Sequence, residues 1–115
     1  MRIILFKTFD NTKFIDNMPE PFKTPKSDIE EKLYNPDDYW PLLTDDFLDK
    51  INTACKTCLD ISDIEFFDTK QCKQLVSLLT RRTKESDSLI SEFCRDLIHY
   101  AKAAIKLDTG IIVEL

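Results

Sequence analysis

The cysteines and the single histidine are the residues of this sequence whose spacing most directly suggests chemistry. Cys55 and Cys58 form a C-x-x-C pair, which can ligate zinc or act as a redox couple. Further zinc ligands would have to come from Cys72, Cys94 or His99. The pair lies on the apolar stripe of a predicted helix, without flanking glycines, and it closes that helix, whereas a thioredoxin-like pair opens one. We therefore interpret the cysteines as core thiols, with a zinc site and a redox pair as the alternatives.

Other catalytic arrangements are weakly supported. His99 could act as an acid or base beside Asp96, but catalysis also needs a substrate pocket. Gly110 is the only glycine, which excludes a G-x-G-x-x-G turn and a P-loop, and neither a nucleophile elbow nor H-E-x-x-H occurs. Neighbouring carboxylates diverge, and their spacing does not specify magnesium. These pairs are Glu30 and Glu31, Asp37 and Asp38, and Asp45 and Asp46. The sequence predicts a protein that is not an enzyme and uses no cofactor.

Negative charge is concentrated in the middle of the chain. Residues 28–68 carry twelve acidic and three basic side chains, a net charge of −9, within a total of −5. The flanking segments 1–27 and 69–106 are net positive, at +2 and +4. Such a surface repels nucleic acid and attracts basic proteins. We therefore expect a protein partner and no nucleic acid.

Residues 34–41 place three aromatic side chains among carboxylates in a segment stiffened by Pro36 and Pro41. Tyr and Trp are enriched at binding hot spots, and surrounding carboxylates would steer a basic partner. Alternatively, Tyr39 and Trp40 fold back to cover the core. The predicted partner-binding residues are Asp37, Asp38, Tyr39, Trp40, Asp45, Asp46 and Asp49.

The first half of the chain is expected to contain one strand, a long loop and one strong helix. Residues 2–8 are rich in β-formers and fit a buried strand. All five prolines fall within residues 9–41, which predicts mostly extended loop, with a short helix around 27–34 as an option. Thr44 can cap a helix whose apolar stripe continues to Leu59.

The second half should contain two helices and a closing strand. Residues 64–67 fit either a strand or an extended lead-in, and residues 68–71 have the form of a capping box that starts a helix. A last helix is predicted over 88–107, ended by Gly110 in a left-handed turn and followed by a strand at 111–113. The expected fold is a single α+β domain, residues 1–115. Three or more helices pack on a small sheet formed by the N- and C-terminal strands.

The size, the negative charge, the α+β layout and the ending at residues 97–113 together resemble bacterial immunity proteins, particularly those paired with contact-dependent inhibition toxins. That ending combines a long helix, Gly110 and a final apolar strand. The resemblance implies a tight complex with a cognate toxin domain, frequently a nuclease, whose phosphate-binding surface is basic.

The leading hypothesis is therefore an immunity protein that neutralises a basic toxin domain. Two alternatives remain, a helical adaptor or phage-type regulatory protein that binds a host factor, and a zinc-dependent module that uses the cysteines. The first apolar run, residues 3–6, is shorter than the roughly 7–15 residues of a signal peptide and the roughly 20 of a membrane span. We expect a cytoplasmic protein with no membrane association.

Overall fold

The structure is a computed structural model that describes residues 1–40, 43, 45–82 and 88–115, without the side chains of residues 45, 82 and 88–90. Six strands and four α-helices occur along the described residues. They are β1 (Arg2–Phe6), β2 (Phe14–Ile15), β3 (Met18–Pro19), β4 (Ile29–Leu33), α1 (Pro36–Tyr39), α2 (Asp45–Cys55), β5 (Ile64–Asp68), α3 (Thr69–Arg82), α4 (Ser88–Leu107) and β6 (Gly110–Glu114).

Four strands form an antiparallel sheet in the order β4-β1-β6-β5. The strands nearest the two ends of the sequence, β1 and β6, are the central pair, with Ile4 opposite Ile112. Because this pair is buried on both faces of the sheet, its residues need not alternate between apolar and polar. Residues 3–6 are accordingly all buried. The predicted α+β fold, with helices on a sheet that includes both terminal strands, is confirmed.

The helices cover one face of this sheet, which we call the inner face. Every second residue of the strands points toward α2, α3 and α4. These residues form the main core together with the apolar stripes of the three helices. Strand residues in this core include Ile3, Leu5, Phe67, Ile111 and Val113, and helix residues include Phe47, Ile51, Leu75, Leu79, Phe93 and Leu97. The apolar faces of these helices thus join the strand residues in one continuous core.

The opposite, outer face of the sheet is covered in part by the segment between β1 and β4. Ile4, Phe6 and Ile112 form a second small core there, against which Phe9 packs. The rings of Phe6 and Phe9 have centroids 5.5 Å apart. The proline-rich loop therefore wraps the sheet, since it supplies the apolar cover that the helices give to the inner face.

Two local predictions hold in detail. The Asp68 carboxylate accepts a hydrogen bond from the Gln71 backbone N–H at 2.8 Å, and the Gln71 side-chain oxygen accepts one from the Asp68 N–H at 2.9 Å. This reciprocal pair is the predicted capping box at the start of α3. The last helix occupies 88–107 as expected.

The prediction of an optional short helix around residues 27–34 is wrong, because this segment contains β4. The alternation of Ile29, Glu31 and Leu33 on one face with Glu30 and Lys32 on the other has the period of a strand. β1 also needs a second neighbour, and its pairing with β4 overrides the local helical signal.

The predicted extension of the second helix to Leu59 is also wrong. α2 ends at Cys55, and Lys56 adopts a left-handed φ of 57°. The Asn52 side chain stabilises this turn, since its oxygen accepts from the Leu59 N–H at 2.7 Å and its amide donates to the Leu59 carbonyl at 2.9 Å. The C-x-x-C pair therefore spans the end of a helix instead of lying within one. Thr44, the predicted cap, lies outside the described residues.

Gly110 does not end α4 as predicted. The left-handed residue after the helix is Asp108, with φ 54°, and Gly110 is the first residue of β6. A Cβ on Gly110 would lie 2.5 Å from the Phe67 carbonyl oxygen and 2.5 Å from the Phe66 ring. Glycine is needed there because β5 approaches too closely for a side chain.

Candidate partner-binding surface

The short helix α1 presents two carboxylates to solvent. The Asn35 side chain caps it by accepting a hydrogen bond from the Asp37 backbone N–H at 3.1 Å. Pro36 occupies the first turn, where a backbone donor is not needed. Asp37 and Asp38 are exposed in that turn, where negative charge is favourable. This geometry holds Asp37 and Asp38, two of the predicted binding carboxylates, on the surface.

The two predicted aromatic contacts are placed differently from each other. Tyr39 is only 8% exposed and packs its ring edge-on against Tyr34, with centroids 5.1 Å apart. Trp40 is half-buried, and its indole N–H donates to the main-chain oxygen of Leu115 at 3.0 Å. Tyr39 is thus a core residue, as the alternative interpretation expected. Trp40 packs on the core and also borders a surface groove.

Two of the predicted binding residues on α2, Asp46 and Asp49, lie on its solvent-facing side. Asp46 is exposed, and its carboxylate lies 3.3 Å from the Lys50 ammonium in an i,i+4 pair. Asp49 is exposed and borders a shallow groove that reaches Leu78 on α3. The side chain of Asp45 lies outside the part of the chain that the structure describes.

The acidic middle of the chain keeps its charge on the surface. Its exposed carboxylates are Glu30, Glu31, Asp37, Asp38, Asp46, Asp49, Asp60, Asp63 and Asp68. The exposed cations in the same segment are Lys50 and Lys56. Within the described ranges, Asp37, Asp38 and Asp49 make no ion pair. The surface of this segment therefore carries a negative charge that its own cations do not balance.

A second feature, a groove at one end of the outer sheet face, was not identified from the sequence. A row of residues in register across the four strands, Leu33, Arg2, Glu114 and Ile64, crosses this end of the sheet. The ring of Phe22 lies over Arg2, with the guanidinium carbon 4.9 Å from its centroid. Phe22 is 78% exposed and Leu33 is 68% exposed. Such exposed apolar side chains are typical of a contact surface.

The groove lies between Phe22 and Trp40 and has a volume of about 310 Å³. We call it the Phe22–Trp40 groove. Its other lining residues are Ser62, Asp63, Ile64, Glu114 and Leu115. The sequence does contain a signal for it, because Phe22 stands between Pro21 and Pro25 much as Trp40 stands between Pro36 and Pro41. The charge pattern does not single out Phe22, because few carboxylates surround it in sequence.

Among the described residues, the Asp96 carboxylate makes no hydrogen bond to His99, as an acid–base pair would require. The Asp96 carboxylate accepts from the Tyr34 hydroxyl and from the Lys32 ammonium, both at 2.6 Å. Burial, followed by this hydrogen bond, raises the pKa of Tyr34 well above its ordinary value, and the same carboxylate raises the pKa of Lys32. His99 is exposed, with its ring edge-on to Tyr100 at 5.7 Å. Asp96 therefore ties β4 to α4.

The cysteines are mostly core thiols, with one exception. Cys55, Cys72 and Cys94 are buried, whereas Cys58 is exposed in the turn after α2. Burial raises the pKa of the Cys55 thiol to about 11 and that of Cys72 to about 12. A protonated thiol is a poor nucleophile and a poor metal ligand. In the described ranges, no three or more His, Cys, Asp and Glu side chains are grouped so as to hold a metal ion.

No protein-family model, no curated protein and no solved structure matches this chain. Along the described residues, none of the helices combines the length and the apolar character needed to cross a membrane. What can be inferred about function therefore depends on the two surface features, the unbalanced carboxylates and the Phe22–Trp40 groove.

Proposed function

We propose that this protein is an immunity protein that binds and neutralises a cognate toxin domain with a basic surface. The contact is made by the acidic surface, which we define as the exposed carboxylates Asp37, Asp38, Asp46 and Asp49 of α1 and α2, together with Asp45 and the neighbouring Trp40. The observation that carries the proposal is the exposure of Asp37, Asp38 and Asp49 without an ion pair among the described residues.

Uncompensated charge of this kind favours fast association. Like charges held close together on a surface repel one another, and this repulsion is relieved when a positively charged partner approaches. Complementary charge raises association rates by about 10–10³-fold at low salt, mainly by steering the encounter. An inhibitor that must capture a toxin before it acts benefits directly from such a rate.

Complementary charge raises the association rate more than it raises the affinity. A tight contact therefore also needs buried apolar area. Trp40 adjoins α1 and is half-buried, and the Phe22–Trp40 groove extends from it across the end of the sheet. Hot spots are typically aromatic side chains in partly formed pockets within a polar rim. The groove and the acidic surface together supply both components of a tight interface.

The first experiment is capture of partners with the tagged protein from its native host, followed by mass spectrometry. The proposal expects a basic domain, present within a larger secreted protein, whose capture falls as salt is raised. That domain, expressed by itself, should arrest growth, and co-expression of this chain should restore it. A captured host factor without growth-arresting activity would instead support the adaptor hypothesis.

The contact is then tested by association kinetics with the captured domain. Asp38→Lys and Asp49→Lys should each slow association at low salt, by about tenfold, with a smaller effect at high salt. Asp10→Lys is the matched control, because it reverses an exposed carboxylate outside the acidic surface and changes the net charge equally. Equal association rates for all three variants would exclude the acidic surface as the contact.

A further inference from the structure

Phe22 separates two grooves of opposite charge. On one side, the charged lining residues are the cations Arg2 and Lys26 and one carboxylate, Glu31, so the cations are in excess. On the other side, in the Phe22–Trp40 groove, they include the carboxylates Asp63 and Glu114 and no basic residue. The exposed ring of Phe22 therefore has a cation from this chain near one side and an acidic, aromatic groove on the other.

The contacts of Arg2 show which chemical group binds next to the Phe22 ring. Its guanidinium lies against the Phe22 ring, its Nε donates to Glu114 at 2.7 Å, and its Nη1 donates to Glu31 at 3.3 Å. The planar guanidinium can stack on an aromatic face and bond to carboxylates at the same time. An aromatic face beside two carboxylates thus already binds a guanidinium within this protein.

The Phe22–Trp40 groove shares Phe22 and Glu114 with that arrangement and adds a second aromatic side chain, Trp40, and a second carboxylate, Asp63. Glu114 is already paired with Arg2, whereas Asp63 makes no ion pair within the described part of the chain, so Asp63 is the carboxylate open to a cation from outside. The register of β5 with β6 sets Ile64 opposite Glu114, and the hydrogen bond from Trp40 to the Leu115 carbonyl holds the indole at its edge. The side of the groove formed by Trp40 and the sheet is therefore preorganised by strand register and a main-chain contact, whereas Phe22 lies on the wrapping loop and is largely exposed.

We propose that the Phe22–Trp40 groove binds an arginine side chain of the protein partner. This inference rests on the proposed function, because it names the group by which the basic partner is anchored. Arginine fits better than lysine, since a guanidinium can stack against Phe22 and Trp40 while donating to Asp63. A stacked, hydrogen-bonded arginine would act as the hot spot, and the acidic surface would steer the partner toward it.

The groove can be tested with a defined probe, the capped peptide Gly-Arg-Gly, titrated into the intact protein at low salt. Trp40 is the only tryptophan, so its indole N–H gives a single side-chain resonance of that type by NMR. We expect a saturable shift of this resonance with the arginine peptide. The same peptide with citrulline has the shape of arginine without its charge, and its affinity should be at least about tenfold lower.

Two variants of the groove make the test specific. Phe22→Leu keeps an apolar side chain but removes the ring, and should weaken peptide binding by about 2–5-fold, the fold-change of an exposed cation–π contact. Asp63→Asn should weaken binding and reduce its salt dependence. It retains an oxygen for the 2.8 Å bond that Asp63 accepts from the Ile64 N–H. Phe14→Leu is the control, because Phe14 is also an exposed aromatic but lies on the β2–β3 hairpin.

The outcomes separate this inference from the proposed function. No shift of the indole resonance, an equal shift with citrulline, or equal weakening by Phe14→Leu would each overturn arginine binding in the groove, even if a basic partner is captured. The arginine peptide could bind as expected while Asp38→Lys and Asp49→Lys leave the association rate with the captured domain unchanged. That result would support arginine binding in the groove and exclude the acidic surface as the contact. Circular dichroism of each variant verifies that it is folded, as expected for changes at exposed side chains.

Discussion

The indole N–H of Trp40 donates a hydrogen bond to the main-chain oxygen of Leu115, with the two atoms 3.0 Å apart. This contact joins the end of α1 to the residue that follows β6, two parts of the chain that are 75 residues apart. It fixes the one tryptophan at the border between the core and the Phe22–Trp40 groove. Trp40 therefore has a structural role that is separable from any role in binding.

Replacing Trp40 with phenylalanine should lower the free energy of unfolding by about 1 kcal/mol, because a smaller aromatic ring remains but the donor to Leu115 is lost. Urea unfolding followed by circular dichroism measures this change. Trp40→Ala should be more destabilising, since it also removes buried apolar area. Equal stability of Trp40→Phe and the unchanged protein would show that the hydrogen bond makes no net contribution.

The buried tyrosines should make the protein sensitive to alkaline pH. Burial raises the pKa of Tyr34, Tyr39 and Tyr100, and the hydrogen bond to Asp96 raises that of Tyr34 further. Because the folded state disfavours the charged phenolate, the resulting stability is fully present below the ordinary pKa of 10.0 and is lost as the pH rises above it. For Tyr34 the loss is about 1.4 kcal/mol per pH unit.

The raised pKa of Lys32 acts in the same direction. Its ammonium is favoured in the folded state by Asp96, and this contribution is present below 10.5 and lost as the pH rises through the folded value. Phenolate absorbance and circular dichroism should therefore change together in an alkaline titration. Tyr34→Phe should give a shallower loss of stability above pH 10. Tyrosine ionisation near pH 10 without unfolding would contradict the burial of these phenols.

The thiols should differ sharply in reactivity. Cys58 is exposed, whereas burial raises the pKa of Cys55 to about 11 and that of Cys72 to about 12. Because the thiolate is the reactive form, an alkylating reagent at pH 8 should modify Cys58 in the folded protein and leave the three buried cysteines unmodified until urea is added. Mass spectrometry of peptides locates the modification. Modification of Cys72 at the rate of Cys58 would contradict this arrangement.

Gly110→Ala should be destabilising because of the backbone that faces it. The added Cβ would meet both the Phe66 ring and the Phe67 carbonyl oxygen at 2.5 Å. We expect a loss of about 1–3 kcal/mol in the free energy of unfolding, typical of overpacking. A second variant, Gly110→Ala with Phe66→Ala, removes the ring and leaves the carbonyl in place. Full rescue by the second change would show that the ring alone causes the strain.

Elements that depend on nearby residues were predictable from the sequence. The capping box needs only Asp68 and Gln71, three positions apart, and α4 needs only the period of its own apolar residues. The apolar run at residues 3–6 indicated a buried strand for the same reason, because a strand buried on both faces has no polar alternation, and the run at residues 111–113 indicated a closing strand. The concentration of negative charge in residues 28–68 is likewise a property of the sequence itself.

The tertiary structure decided the features that depend on distant residues. Residues 29–33 become a strand because β1 accepts them as its neighbour, and Tyr39 is buried because Tyr34 and Phe93 surround it. The Phe22–Trp40 groove joins residues from the wrapping loop, α1, β5 and β6, and its acidic character depends on Asp63 and Glu114 meeting there. Local periodicity specifies which face of an element is apolar, but pairing and burial depend on which faces meet, and that is settled only when the whole chain packs.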